Sequence, residues 1–169
     1  MSDAIHAHPS PSTTPSRLDR LATLAIGIAA AALVGLVLVQ GWQVFARYVI
    51  NDSPSWTEPV TLLLLSIAMS FGAAAGVHDA RHFRFNLLAD AVGPRLQRAM
   101  AALGETVVLL IGAWLAVGAL WLWWDGLGVR MAGAPLPQSS NFLPLGLGGA
   151  LMVVFSAQRL WRALRGGEG

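Results

Sequence analysis

Four long stretches without a charged side chain decide what this chain can fold into. Residues 21–39 read LATLAIGIAAAALVGLVLV, residues 60–77 read VTLLLLSIAMSFGAAAGV, and residues 106–124 read TVVLLIGAWLAVGALWLWW. A bilayer core about 30 Å thick is crossed by roughly 20 mostly apolar helical residues, and each stretch is close to that length. The fourth is less sharply bounded. Residues 131–158 carry no charge, but Pro135, Pro137 and Pro144 confine a good helix to about 145–159 plus a turn before it. Spans are expected at about 21–45, 57–78, 95–124 and 141–161.

Composition removes the other classes. Of 169 residues 55% are apolar and 12% charged, against roughly 25% charged in a soluble domain. Leaving that much apolar surface in water excludes a disordered chain. The chain has no Cys, so disulfides, cysteine-ligated metal and a thiol nucleophile are excluded. All eleven basic residues are Arg, too few for a nucleic-acid-binding face. The expected fold is an all-α integral membrane protein, a four-transmembrane-helix bundle at 17–165. Residues 1–16, rich in Ser, Thr and Pro, read as a disordered cytoplasmic tail, and 166–169 as a C-terminal tail.

Orientation follows from Arg in the loops. Arg17, Arg20, Arg81, Arg84, Arg95, Arg98, Arg159, Arg162 and Arg165 fall on one side, against Arg47 and Arg130 on the other. Both termini are therefore expected in the cytoplasm, with loops around 46–59 and 125–141 outside. The first apolar run exceeds a signal peptide's core, and no small-x-small cleavage site follows it. Helix packing is expected from stripes of small residues four apart: Gly27, Ala31 and Gly35, then Ala68, Gly72 and Gly76, with Ser66, Ser70 and Ala74 alongside. Ala and Gly are also simply common in spans. Trp42, Trp56, Trp121, Trp123 and Trp124 suit the headgroup region. In the cytoplasmic loop, Phe85, Leu88 and Val92 oppose Asn86 and Asp90, the pattern of a short amphipathic arm helix on the lipid surface; a plain polar connector is the other reading.

Chemistry-bearing residues are sparse. Glu105 is the deepest acid, open to a cation or proton role or to pairing with Arg98, Arg95 or a partner subunit. His78 and His82 stand at i, i+4, a spacing used by metal ligands, but beside Asp79, Arg81 and Arg84 they also read as interfacial polar residues. No catalytic, cofactor or metal set emerges, and an enzyme is not expected. Two plus two spans are too few for the inverted repeats of a secondary transporter.

Two segments together resemble a known family. RYVINDSPSWTEP at 47–59 is similar to the Arg-Tyr-Val-Phe-Asn-x-Ser-x-x-Trp-x-Glu-Glu signature of the small membrane subunit of TRAP (tripartite ATP-independent periplasmic) transporters, the DctQ-like family. GAAAGVHDARHFRFNLLADAVGPRLQRAM at 72–100 resembles its second signature. Arg47, Tyr48, Asn51, Ser53, Trp56 and Glu58 match the first pattern, His82 the second, and Arg95 falls in its Pro-Arg-x-x-Arg helix start. Pro59 replaces a second acid and Asn86 replaces Asp.

The resemblance implies a bacterial inner-membrane scaffold subunit without cofactor. Its implied partners are a large membrane subunit of about 12 spans that carries substrate and sodium, a periplasmic substrate-binding protein, and membrane lipids. The implied cargo is an organic acid, such as a C4-dicarboxylate, another carboxylate or sialic acid. Arg47 and Glu58 would fix the external loop and Trp56 would anchor it. A membrane anchor or assembly subunit of another complex, and a small stand-alone transporter, are the competing readings.

Overall fold

The computed structural model describes residues 17–52, 54–79 and 93–165. Four long helices account for most of them: α1 (Arg17–Phe45), α2 (Thr57–Asp79), α3 (Pro94–Asp125) and α4 (Phe142–Arg165). Each is long and apolar enough to cross a membrane. Among the described residues there is no strand, only an isolated bridge between Arg130 and Pro137. The N-terminal tail, Ser53, the expected arm with His82 and Asn86, and residues 166–169 lie outside the described residues.

Local chemistry sets the helix limits. Pro94 opens α3 directly after Gly93, where its missing N–H costs nothing because first-turn N–H groups have no helical partner. Pro59 and Pro144 occupy the first turns of α2 and α4 for the same reason. The fourth helix consequently starts near 142, preceded by a 3₁₀ turn at Gln138–Asn141, and runs on to Arg165. The first loop is shorter than the expected 46–59. α1 continues as a π turn, Ala46–Ile50, which closes at Asn51 in the left-handed region (φ 56°) with its N–H donating to Ala46 O. Asn tolerates that conformation better than other non-glycine residues, so six residues suffice to reverse the chain.

The helices form a row ordered α1, α2, α4, α3, with α1 and α3 at its edges. α2 and α4 run side by side in the same direction, with Ser66 Oγ donating to Asn141 O at 3.0 Å near one end. The buried core is nearly all alanine. Ala22, Ala25, Ala29 and Ala32 of α1 are buried, a 3-4-3 spacing that keeps one seam on the neighbouring helix. This face is not the Gly27–Ala31–Gly35 stripe expected from the sequence: a Cβ at Gly27 would meet nothing within 4 Å. On α2 the Ser70 and Ala74 stripe is buried together with Ala68 of the other stripe, whereas Gly72 and Gly76 are exposed.

Close approach is instead concentrated in α4. A Cβ on Gly148 would stand 2.6 Å from Ser70 Cβ and 2.7 Å from Ser70 O, and one on Gly149 would stand 2.8 Å from Ala116 N and 2.9 Å from Gly112 O. Adjacent glycines thus admit α2 on one side of α4 and α3 on the other. Lipid offers helices no hydrophobic drive to associate, so such backbone contact supplies the cohesion.

Candidate functional site

Two places gather the chain's polar side chains, one at each end of the row. The first is the loop end. Here the hydroxyl of Thr57 donates to Pro54 O at 2.8 Å, and Ser55 Oγ donates to Gly133 O at 3.3 Å. Gly133 (φ +84°) lies so close that a Cβ there would be 2.4 Å from Ser55 O. Only glycine meets both demands, and the contact ties the α1–α2 loop to the α3–α4 loop. The second loop is itself braced by Met131 N donating to Leu136 O and Gln138 N donating to Val129 O, both at 2.9 Å.

The family-motif residues sit on this braced platform. Arg47 and Tyr48 lie on the π turn and are exposed, as are Asn51, Trp56 and Glu58. Glu58 stands in the first turn of α2, where a negative charge complements the helix dipole. Neither Arg47 nor Glu58 has an ion-pair partner among the described residues. The loop is held by the bonds of Thr57, Ser55 and Asn51, and its charged side chains are left facing outward. Arg95 is in the first turn of α3 at the opposite end.

The other end carries a cluster the sequence did not disclose. Glu105 of α3 is 7% exposed, and its Oε1 lies 3.4 Å from Arg159 Nη1 of α4. The same Arg159 nitrogen donates to Val77 O in the last turn of α2, where a cation offsets the helix dipole. Next to it, His78 Nε2 lies 3.1 Å from Asp19 Oδ1 of α1, and His78 Nδ1 is 3.5 Å from Asp79 Oδ1 without hydrogen-bond geometry. The His78 ring meets the Phe155 ring of α4 edge-on, with centroids 5.1 Å apart. One polar chain thus crosses the entire row: Asp19 and His78 join α1 to α2, and Val77, Arg159 and Glu105 join α2 to α4 and α3.

Pairing of Glu105 with an arginine was one of the expected readings, and among the described residues that arginine is Arg159 of α4. Spacing along one helix could not reveal this, because the pairing runs between helices and Arg159 resembles the first charge of a tail. Arg159 neutralises Glu105, and His78 is engaged with Asp19. The cluster therefore acts as a clasp between helices. Glu105 Oε2 and Ser156 Oγ are buried without a hydrogen-bond partner among the described residues, which adds to the cost of disturbing it.

Four apolar spanning helices, a polar cluster linking them and outward-facing motif residues on a braced loop define a multi-pass membrane protein. Residues 36–166 match the family of tripartite ATP-independent periplasmic transporters, DctQ component. The chain belongs to that family and is thereby a component of a TRAP transporter, its small permease subunit. Comparison with curated proteins found no match.

Proposed function

We propose that this subunit is a scaffold that packs against the large, substrate-carrying membrane subunit and stabilises it for sodium-driven uptake of an organic acid. The observation that supports the reading is the clasp: Glu105 with Arg159, and Asp19 with His78, hold the chain's own helices together, so coupling and substrate recognition fall to other chains. An acid that drives transport must exchange its proton or cation, and Glu105 is occupied by Arg159. The apolar outer faces, by contrast, are extensive. Substrate choice then rests with the large subunit and a periplasmic binding protein. With nine Arg in the sequence segments 17–20, 81–98 and 159–165 against two in the other loops, the termini face the cytoplasm and the motif loop faces the periplasm.

In this arrangement Trp56 anchors the loop at the interface, while Arg47, Tyr48 and Glu58 present polar contacts to the partner. Replacing Trp56 and Glu58 together by Ala is expected to lower both the yield of the purified complex and organic-acid uptake by about tenfold, as loss of an aromatic and a charged contact does at interfaces. Wild-type yield and uptake in that variant would remove these residues from the interface.

A further inference from the structure

The outer edge of α3 carries an unbroken heptad. Leu103, Val107, Leu110, Trp114, Val117 and Trp121 alternate steps of four and three residues, and all six are exposed. Trp124 continues the series at the loop end. A strict seven-residue repeat keeps one seam facing a second helix at a left-handed crossing of about 20°. The same 3-4 alternation marks the buried alanine seam of α1, so contacts between helices in this molecule already use it.

Trp114 distinguishes this edge from the other. It stands at the centre of the span Ala99–Gly128 and is 82% exposed, with Trp121 at 84%. An indole belongs at the headgroups, where its N–H finds water or a lipid oxygen. At the midplane lipid supplies no acceptor, and an unsatisfied donor there is costly. Among the described residues the Trp114 indole has no hydrogen-bond partner. The opposite edge differs: the exposed residues of the α1 span include Leu24, Ile28, Leu33 and Val34, which lipid solvates without leaving a polar atom unpaired.

The available area is also sufficient. At 150–250 Å² for each aromatic ring, three Trp exposed by 72–84% offer roughly 350–600 Å². The aliphatic members bring the stripe to on the order of 800 Å², the share one partner buries in a standard interface. Beside it, Ala116, Ala119, Gly146 and Ala150 floor an apolar groove of about 360 Å³ between α3 and α4, room for a knob from a facing helix.

We infer that the Trp114 edge of α3 is the face that docks the large membrane subunit, through a helix running along α3 that presents a hydrogen-bond acceptor to the Trp114 indole at mid-membrane. The inference rests on the scaffold reading above and adds which face makes the contact.

The test uses the complete transporter in its native membrane. Trp114→Ala with Trp121→Ala is expected to lower recovery of the large subunit with the tagged chain at least about tenfold, and Trp114→Phe, which keeps the bulk and removes the N–H, about threefold. Leu24→Ala with Ile28→Ala on the opposite edge leaves recovery unchanged. Full recovery with the α3 double variant overturns the inference and leaves the scaffold reading standing. A wild-type chain that brings no large subunit overturns both. A photoreactive maleimide on Trp114→Cys, the sole thiol of that variant, reads the neighbour directly even where the Ala variants accumulate poorly. Capture of the large subunit is the expected result, and capture of a second copy, or of lipid alone, overturns the inference.

Discussion

Truncating either half of the Glu105–Arg159 pair is expected to destabilise the isolated subunit more than any other single side-chain truncation in the spans. Glu105→Ala takes the carboxylate away from the part-buried Arg159 guanidinium, and Arg159→Ala leaves a buried carboxylate without its countercharge among the described residues. Removing one partner of a buried pair costs about 3–5 kcal/mol. At about 2–4 °C per kcal/mol for a chain of this size, the melting temperature in detergent should fall by roughly 6–20 °C. The double variant Glu105→Met with Arg159→Met removes both charges at similar volume and should recover most of the loss. It also separates a structural role from a coupling role. If the pair is a clasp, the double variant supports uptake once stability returns; a stable double variant without uptake would assign Glu105 to transport. Single variants that melt with the wild type would contradict the clasp itself.

Gly148 and Gly149 are the second sensitive place. The atoms a new side chain would strike include backbone, Ser70 O on one flank and Ala116 N and Gly112 O on the other, and backbone cannot rotate out of the way. Gly148→Leu should push α2 from α4, and Gly149→Leu should push α3 from α4. Overpacking typically costs about 1–3 kcal/mol, and collision with main-chain atoms places both at or above the upper end. Gly27→Leu and Gly76→Leu, at positions where a Cβ would meet nothing within 4 Å, should change stability by no more than about 0.5 kcal/mol. Thermal melts of the four purified variants would rank them. Equal losses at Gly27 and Gly148 would contradict the helix order.

Much of the fold is legible in the sequence because the bilayer imposes a length and a polarity on every span. The uncharged runs mark four helices, and Pro94 and Pro144 mark where two of them begin. Contact partners are not legible in the same way. A stripe of small residues says that a helix can be approached closely, not which helix comes near. Gly27 and Gly76 fall on the expected stripes, yet a Cβ at either meets nothing, whereas Gly148 and Gly149, which lie on neither stripe, meet neighbouring backbone. Charge is ambiguous for a similar reason. Arg159 belongs by sequence to the same positive cluster as Arg162 and Arg165, yet its side chain turns inward to Val77 and Glu105. His78 suggested a metal pair with His82 because the two share a helical spacing. Asp19, its contact in the fold, lies 59 positions earlier (78 − 19), and no local pattern reports that.

The motif loop shows the opposite relation. Its family residues can be read from the sequence, but the bonds that shape it come from residues that carry no motif weight. Thr57 and Ser55 hold the first loop, and Gly133 joins it to the second. The motif side chains Arg47, Tyr48 and Glu58 remain exposed, available for contacts outside this chain.

Purification of the tagged wild-type chain from its native host in mild detergent tests the proposed scaffold role. A second membrane protein of about 12 spans, the large TRAP subunit, is expected to elute with it at equal stoichiometry. A monodisperse chain that elutes alone and by itself moves an organic acid into vesicles would contradict it.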